Sequence, residues 1–226
     1  MPRKRNYRKK RHKSNFNKRT GSGQGRIVPL PRKWRFQSRY CENAISIDPS
    51  AVSNAEHVFR LNSLYDPDLT YGGHQPLGFD QLSPLYTKYT VIGCRARITL
   101  TNTDVHHPMN FYVFPSTTGS TMVSDAQLQV MTERGMARWC QLAPSGSGGC
   151  TKTLTLNWSA KDYFGKSPFD DDDVSAVMNA NPTNTVYLHC SIQAVGSGAE
   201  NPSPSVGAAV LEYIAIMTEP KPMPQS

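Results

Sequence analysis

Ten of the first nineteen residues are Lys or Arg, and none is acidic: Arg3, Lys4, Arg5, Arg8, Lys9, Lys10, Arg11, Lys13, Lys18 and Arg19. Cationic side chains at this density neutralise phosphate and release the counterions condensed on a nucleic acid. Tyr7, Phe16 and Trp34 lie among or just beyond them and can stack on unpaired bases, which suits single strands and does not require base-specific geometry. The subset Arg8, Lys9, Lys10, Arg11 and Lys13 also has the composition of a nuclear localisation signal, which would engage nuclear import factors. A purely solubilising tail is the remaining alternative. A membrane-bound amphipathic helix needs an apolar stripe that Tyr7 and Phe16 alone do not form, so no membrane insertion is expected.

Other residue types could do chemistry elsewhere, and each is better explained without it. Gly165-Lys166-Ser167 follows the strand-like TLTLNW, yet a phosphate-binding loop needs a glycine at position 160, where Ala stands. Asp170, Asp171, Asp172 and Asp173 are a weak candidate for a Ca²⁺ or Mg²⁺ site, since oxygen ligands suit hard cations but the spacing is not that of an EF-hand. His189 and Cys190 point to opposite faces if they share a strand, so they cannot act as base and nucleophile; a surface histidine beside a core cysteine is expected. Arg95 and Arg97 should protrude from the outer face of their strand with Thr99 and Thr101. Phosphate, a neighbouring subunit or plain solvent could face them. The five cysteines, Cys41, Cys94, Cys140, Cys150 and Cys190, contain no C-x-x-C pair and read as reduced, buried thiols. Cys140 and Cys150 flank QLAPSGSGG and are candidates for neighbours across a hairpin. No cofactor is expected, and no catalytic residue is assigned.

The elements that carry these residues divide the 226-residue chain unevenly. Fifteen of its 25 Lys and Arg fall in residues 1–39 and all 17 Asp and Glu fall later, so a net charge of +8 hides a basic arm on a body of about −7. Residues 1–33 show no hydrophobic periodicity and include the spacer GSGQG; they are expected to be disordered without a partner. From 34 to 220 short alternating segments are punctuated by Gly, Pro, Asn and Asp, and 221–226 form a short tail. In VYLHCSIQA, Val186, Leu188, Cys190, Ile192 and Ala194 share one face; Leu154, Leu156 and Trp158 form a second row. Ile92, Cys94, Ala96, Ile98 and Leu100 form a third, and Leu211, Tyr213, Ala215 and Met217 a fourth. With RFQSRYCENAISI, HVFRLNSLY, NFYVF and RWCQL, about eight strands result, which fits an all-β, eight-stranded jelly-roll sandwich. One helix is expected in SDAQLQVMTERG, with Ser124 as N-cap and Gln127 in capping-box register. No stretch near the N-terminus resembles a secretory signal, and the most apolar segment, 206–217, is too short to span a bilayer.

Residues 59–98 add a resemblance. Arg60, Leu61, Asn62, Ser63, Tyr65, Asp66 and Pro67 are followed by Gly73, His74, Gln75, Pro76, Gly78 and Asp80, then by Tyr86 and Tyr89. This R-L-N-S-x-Y-D-P, G-H-Q-P-x-G-x-D and Y-x-x-Y succession resembles the capsid proteins of small circular Rep-encoding single-stranded DNA viruses, the circovirus-like group. The resemblance implies a jelly-roll coat protein of which sixty copies form a T=1 icosahedral shell, with arms turned inward onto single-stranded viral DNA. It also implies a virion location, passage through the host nucleus and a host-cell receptor. Sixty arms of fifteen charges would neutralise on the order of 900 phosphates, and a 33-residue arm would reach roughly 100 Å. The residues themselves give the GHQP segment a plainer part: Gly72 and Gly73 permit tight turns, Pro76 stiffens the chain, and His74 is a loop contact and not a base. A cellular nucleic-acid-binding β-sandwich that forms no closed shell, and an enzyme on a jelly-roll scaffold, are the competing classes.

Overall fold

A computed structural model describes residues 30–50, 54–120, 124–196 and 201–222. The basic residues Arg3 to Arg19 named above, with the localisation candidate among them, lie outside that range. Among the described residues nine strands form two antiparallel sheets. They are β1 (Lys33–Ile47), β2 (Ala55–Arg60), β3 (Tyr86–Asn102), β4 (Met109–Ser116), β5 (Arg138–Leu142), β6 (Thr151–Ser159), β7 (Ser175–Val177), β8 (Tyr187–Ala194) and β9 (Ser205–Pro220). One sheet runs β1-β9-β3-β6, with the three-residue β7 paired to β3, and the other runs β2-β8-β4-β5. The chain passes repeatedly between sheets, so strands far apart in sequence become neighbours, which is the jelly-roll arrangement.

Alternation explains the core. Ala96, Ile98 and Leu100 of β3, Leu211, Tyr213, Ala215 and Met217 of β9, and Leu188, Cys190 and Ile192 of β8 are buried between the sheets. Leu156 and Trp158 join them, while Leu154 is only partly covered. In β3 the register shifts between Val91 and Gly93 opposite β9. This bulge turns Val91 inward with Cys94 and leaves Ile92 half-buried, against the simple alternation expected of VIGCRARITL.

The helix α2 (Asp125–Glu133) has the expected capping box: the Gln127 N–H donates to the Ser124 hydroxyl, and the Ser124 N–H donates to Gln127 Oε1 at 2.9 Å. It lies on the outer face of the β2-β8-β4-β5 sheet, where Leu128, Phe114 and Ala137 form a second small core. His189 is therefore not a surface residue. It is 1% exposed, stacks on Phe114 with ring centroids 5.1 Å apart, and places its ring nitrogens 2.8 Å from Glu56 Oε2 and from the Thr118 carbonyl.

The cysteines also depart from expectation. All five are free, but only Cys94 and Cys190 are buried; Cys41, Cys140 and Cys150 are half-buried. Cys140 and Cys150 do not flank a hairpin, because β5 and β6 belong to different sheets and the turn between them crosses from one to the other.

Candidate nucleic-acid interface

The outer face of the β1-β9-β3-β6 sheet gathers cations from strands far apart in sequence. Arg35, Gln37, Arg39 and Cys41 alternate with the inward Phe36, Ser38 and Tyr40 on β1, and pair through β9 with Ile216, Ile214, Glu212 and Val210. On the other side of β9, Glu212 and Val210 pair with Arg95 and Arg97 of β3, which in turn face Asn157 and Thr155 of β6. Arg39, Glu212, Arg95 and Asn157 thus form one row across four strands. Arg39 Nη2 donates to Glu212 Oε1 at 2.6 Å, and both side chains are partly exposed. Thr99 and Thr101 meet Thr153 and Thr151 through hydroxyl contacts of 2.7 and 2.8 Å.

A groove of about 1010 Å³ runs along this row and is walled by the 74–77 loop. Its exposed arginines can hold phosphates, while Gln37 and Asn157 offer amide donors and acceptors that fit base edges.

That loop is built by its own sequence. Arg60 pairs with Asp66 at 2.6 Å, and its N–H donates to the carbonyl of the buried Pro67. Asp68 Oδ1 accepts the N–H groups of Thr70 and Tyr71, and its Oδ2 lies 3.0 Å from Nε2 of the buried His57. Gln75 Nε2 donates to the Tyr65 carbonyl, and Ser38 Oγ donates to the Leu77 carbonyl at 2.6 Å. A Cβ at Gly73 would fall 2.1 Å from the Tyr40 hydroxyl oxygen, so only glycine lets the loop lie this close to β1. His74 is exposed and stacks on Tyr40 with centroids 4.7 Å apart. Gly78 has φ 88° and leads into the short α1 (Phe79–Leu82), where Asp80 is exposed. Burial, reinforced by Asp68 and Glu42, pushes the Tyr40 hydroxyl far up; burial takes Tyr89 up to about 12 against the pull of its bond with Ser63. The loop is thus a fixed wall.

The arm joins the body at the end of this sheet. Leu30 packs on the core, the Tyr86 hydroxyl donates to the Pro31 carbonyl at 3.0 Å, and the Lys33 ammonium sits 4.7 Å above the Phe169 ring. Trp34 is 41% exposed and edge-on to Tyr86. Arg35 and Arg39, counted with the arm by charge alone, belong to β1, so thirteen of the fifteen cations precede Trp34. Alternation in the sequence marks Arg95 and Arg97 as outward, but not their grouping with Arg35, Arg39 and Glu212. The period-2 pattern in RFQSRYC was the available signal; the 173-residue separation of Arg39 from Glu212 hid the rest.

Two other candidates do not assemble. Asp170, Asp171, Asp172 and Asp173 do not converge: Asp171 pairs with Lys166 at 2.8 Å and accepts the Asp173 N–H, and Asp172–Val174 form a 3₁₀ turn that points successive side chains apart. Among the described residues no group of three or more His, Cys, Asp or Glu could hold a metal ion. The Lys166 partnership lowers the Asp171 pKa. Gly165 ends the helix α3 (Ala160–Phe164) in a left-handed conformation, so GKS follows a helix where a phosphate loop would precede one.

No family model and no curated protein matches the chain. Among solved structures it is similar to a chain of Mud crab tombus-like virus, at 12% identity and TM-score 0.50, covering 89% of this chain and 96% of that one. It is also similar to a chain of a semi-empty VLP of the giant freshwater prawn Macrobrachium rosenbergii nodavirus, at 10% identity and TM-score 0.48 over 85% and 95%. A third is a T=1 subviral particle of a Penaeus vannamei nodavirus capsid protein deletion mutant, at 12% identity and TM-score 0.45 over 83% and 98%. What the first likeness shows is the fold. This chain shares the two-sheet jelly roll with that chain, whose name is not that of a circular single-stranded DNA virus.

Proposed function

We propose that this chain is a viral coat protein that assembles into a T=1 shell of sixty copies and packages single-stranded viral DNA. Its arm, residues 1–33, carries most of the binding charge, and the arginine face of the β1-β9-β3-β6 sheet lines the interior. The observation that carries this reading is continuity: the cationic arm runs into β1, whose outward residues Arg35 and Arg39 share a face with Arg95 and Arg97. A strand of nucleic acid held by the arm is delivered to that groove. The jelly roll supports a shell role, and the segment from Arg60 to Tyr89 supports the circovirus-like assignment. The role is structural and uses no catalytic site. The cluster Arg8 to Lys13 directs the protein to the nucleus through import factors.

Electron microscopy of the purified full-length protein tests this. The expected result is closed particles of one size, with the arginine face inward and a nucleic-acid content destroyed by single-strand-specific deoxyribonuclease and resistant to ribonuclease. Persistent monomers or small oligomers, an outward arginine face, or ribonuclease-sensitive contents would each overturn the corresponding part.

A further inference from the structure

The opposite sheet carries a different kind of surface. On the outer face of β2-β8-β4-β5, Tyr112 of β4 pairs with Trp139 of β5, and Asn110 pairs with Gln141 and Gln193. The Tyr112 and Trp139 rings stack with centroids 6.2 Å apart and planes 25° from parallel, and Trp139 is 53% exposed. The Tyr112 ring fixes the plane of Trp139, so its indole presents a pre-oriented apolar face at the surface. A cavity of about 320 Å³ opens beside the pair, with α2 as its far wall.

That wall is polar and acidic. Asp125, Gln129, Thr132 and Glu133 line it together with Gln193 from β8. The hydrogen bonds orient these groups before any ligand arrives. Gln193 Oε1 accepts from the Tyr112 hydroxyl at 3.3 Å and from Asn110 Nδ2 at 3.4 Å, which leaves the Gln193 amino group to donate. Gln129 Nε2 donates to Glu133 Oε1 at 3.3 Å, and Asn54 Nδ2 donates to Asp125 Oδ1 at 2.9 Å. We infer that this cavity is a binding site for a neutral glycan, with one hexose ring stacked on Trp139 and its hydroxyls bonded to Gln193, Gln129, Asp125 and Glu133.

The chemistry selects that ligand class. The C–H face of a pyranose is apolar and flat enough to lie on an indole, while its rim carries hydroxyls that both donate and accept. Carboxylates are acceptors only and take those hydroxyls in charge-assisted bonds. The cavity lies at the small end of the usual range for ligand sites, about 300–1,000 Å³, which suits one or two sugar rings. Neither Lys nor Arg lines it, and two carboxylates do, so sialylated or sulfated glycans are repelled. In the coat-protein reading this sheet faces outward, which would make the site a receptor contact. The binding itself does not depend on assembly.

Saturation-transfer NMR on the full-length protein, with methyl glycosides of galactose, glucose, mannose and N-acetylglucosamine, and with sialyllactose for comparison, tests the site. At least one neutral glycoside should show transfer that depends on Trp139, and sialyllactose none that does. Trp139→Ala should weaken binding at least ten-fold and Gln193→Ala several-fold, with Phe169→Ala, an exposed aromatic at the far sheet, unchanged. A circular dichroism spectrum checks that each variant folds, and Gln193→Ala carries the test if Trp139→Ala does not. No transfer from any neutral glycoside, a stronger Trp139-dependent signal from sialyllactose than from the neutral glycosides, or equal binding by Gln193→Ala overturns the inference. So does loss of particles in Trp139→Ala without glycan binding by the parent, which would make this face a contact between copies and leave the packaging reading standing.

Discussion

The Asp104 carboxylate is 6% exposed and ties two loops together. Its Oδ1 accepts the N–H of His106 at 2.8 Å and of His107 at 2.6 Å and lies 3.1 Å from the His107 ring, while Oδ2 accepts the Ser203 N–H at 2.8 Å. Burial alone would raise its pKa. The bonds from Ser203, His107 and His106 outweigh burial together and hold the carboxyl well below the usual carboxylate range. With the folded value depressed, the stability this group contributes is fully present above its unfolded pKa of about 4 and is lost as pH falls toward the folded value. Asp104→Asn keeps one oxygen but turns an amino group against either Ser203 or the two histidine N–H groups. An unsatisfied buried donor costs about 1–3 kcal/mol, and at roughly 2–4 °C per kcal/mol for a chain of this size the thermal midpoint should drop several degrees at pH 7. Melts of both proteins at pH 7 and pH 3 check this: the gap should narrow at pH 3, and a constant gap would show that the carboxylate charge is not the cause. Nothing in TNTDVHHP marks Asp104 for this part beyond a turn-forming Asp, because its fourth partner lies 99 residues away.

At the scale of elements, α2 was readable and its position was not. The Ser124 and Gln127 spacing identifies the capping box, and Gly135 follows the helix with φ 68°. Ser124→Ala removes one half of that box, and losing an N-cap of this kind costs about 1 kcal/mol. Hydrogen exchange should accelerate across 125–133 while the β2-β8-β4-β5 strands keep their protection; acceleration spread evenly over the sheet would mean that α2 is integral to the sandwich. Eight of the nine strands were legible as turn-bounded runs, most of them with a period-2 pattern; β2, buried at His57, Val58, Phe59 and Arg60 in succession, is the exception. The missing β7 has three residues, too few for any period to show. The bulge at Val91 and Gly93 and the burial of His189 escaped for a different reason. One depends on the register against β9, and the other on Phe114, Glu56 and the Thr118 carbonyl closing over a side chain that alternation assigns to solvent. The same limit explains the candidate site. The sequence shows which residues leave the core, and strand order alone decides which of them meet.

At the scale of the whole molecule, the charge that binds is divided between a tail and a face, and salt dependence separates the two. Each phosphate contact on a single strand contributes about −0.7 to the slope of log K against log salt. If all thirteen cations before Trp34 engage together with the four arginines of the sheet face, the full chain approaches a slope of roughly −12. A chain lacking residues 1–33 retains Arg35, Arg39, Arg95 and Arg97 on the sheet face, so its slope should be no steeper than about −3. Replacing Arg39, Arg95 and Arg97 together by Ala in the full chain should flatten the slope by about 2 and leave affinities for unrelated single-stranded sequences similar to one another. Titration of labelled single-stranded DNA over a salt series, by anisotropy, reads all three. The truncated chain should keep its β-sheet circular dichroism, since it loses only the first residue of β1 and the Leu30 and Pro31 contacts, while the pairing of β1 with β9 from Trp34 onward and the core between the sheets remain. Unfolding on truncation would place the domain boundary elsewhere, and an unchanged slope would remove the arm from the binding role. A slope that the triple substitution leaves alone would confine packaging to the arm, and the arginine row would then be explained by its pairing with Glu212.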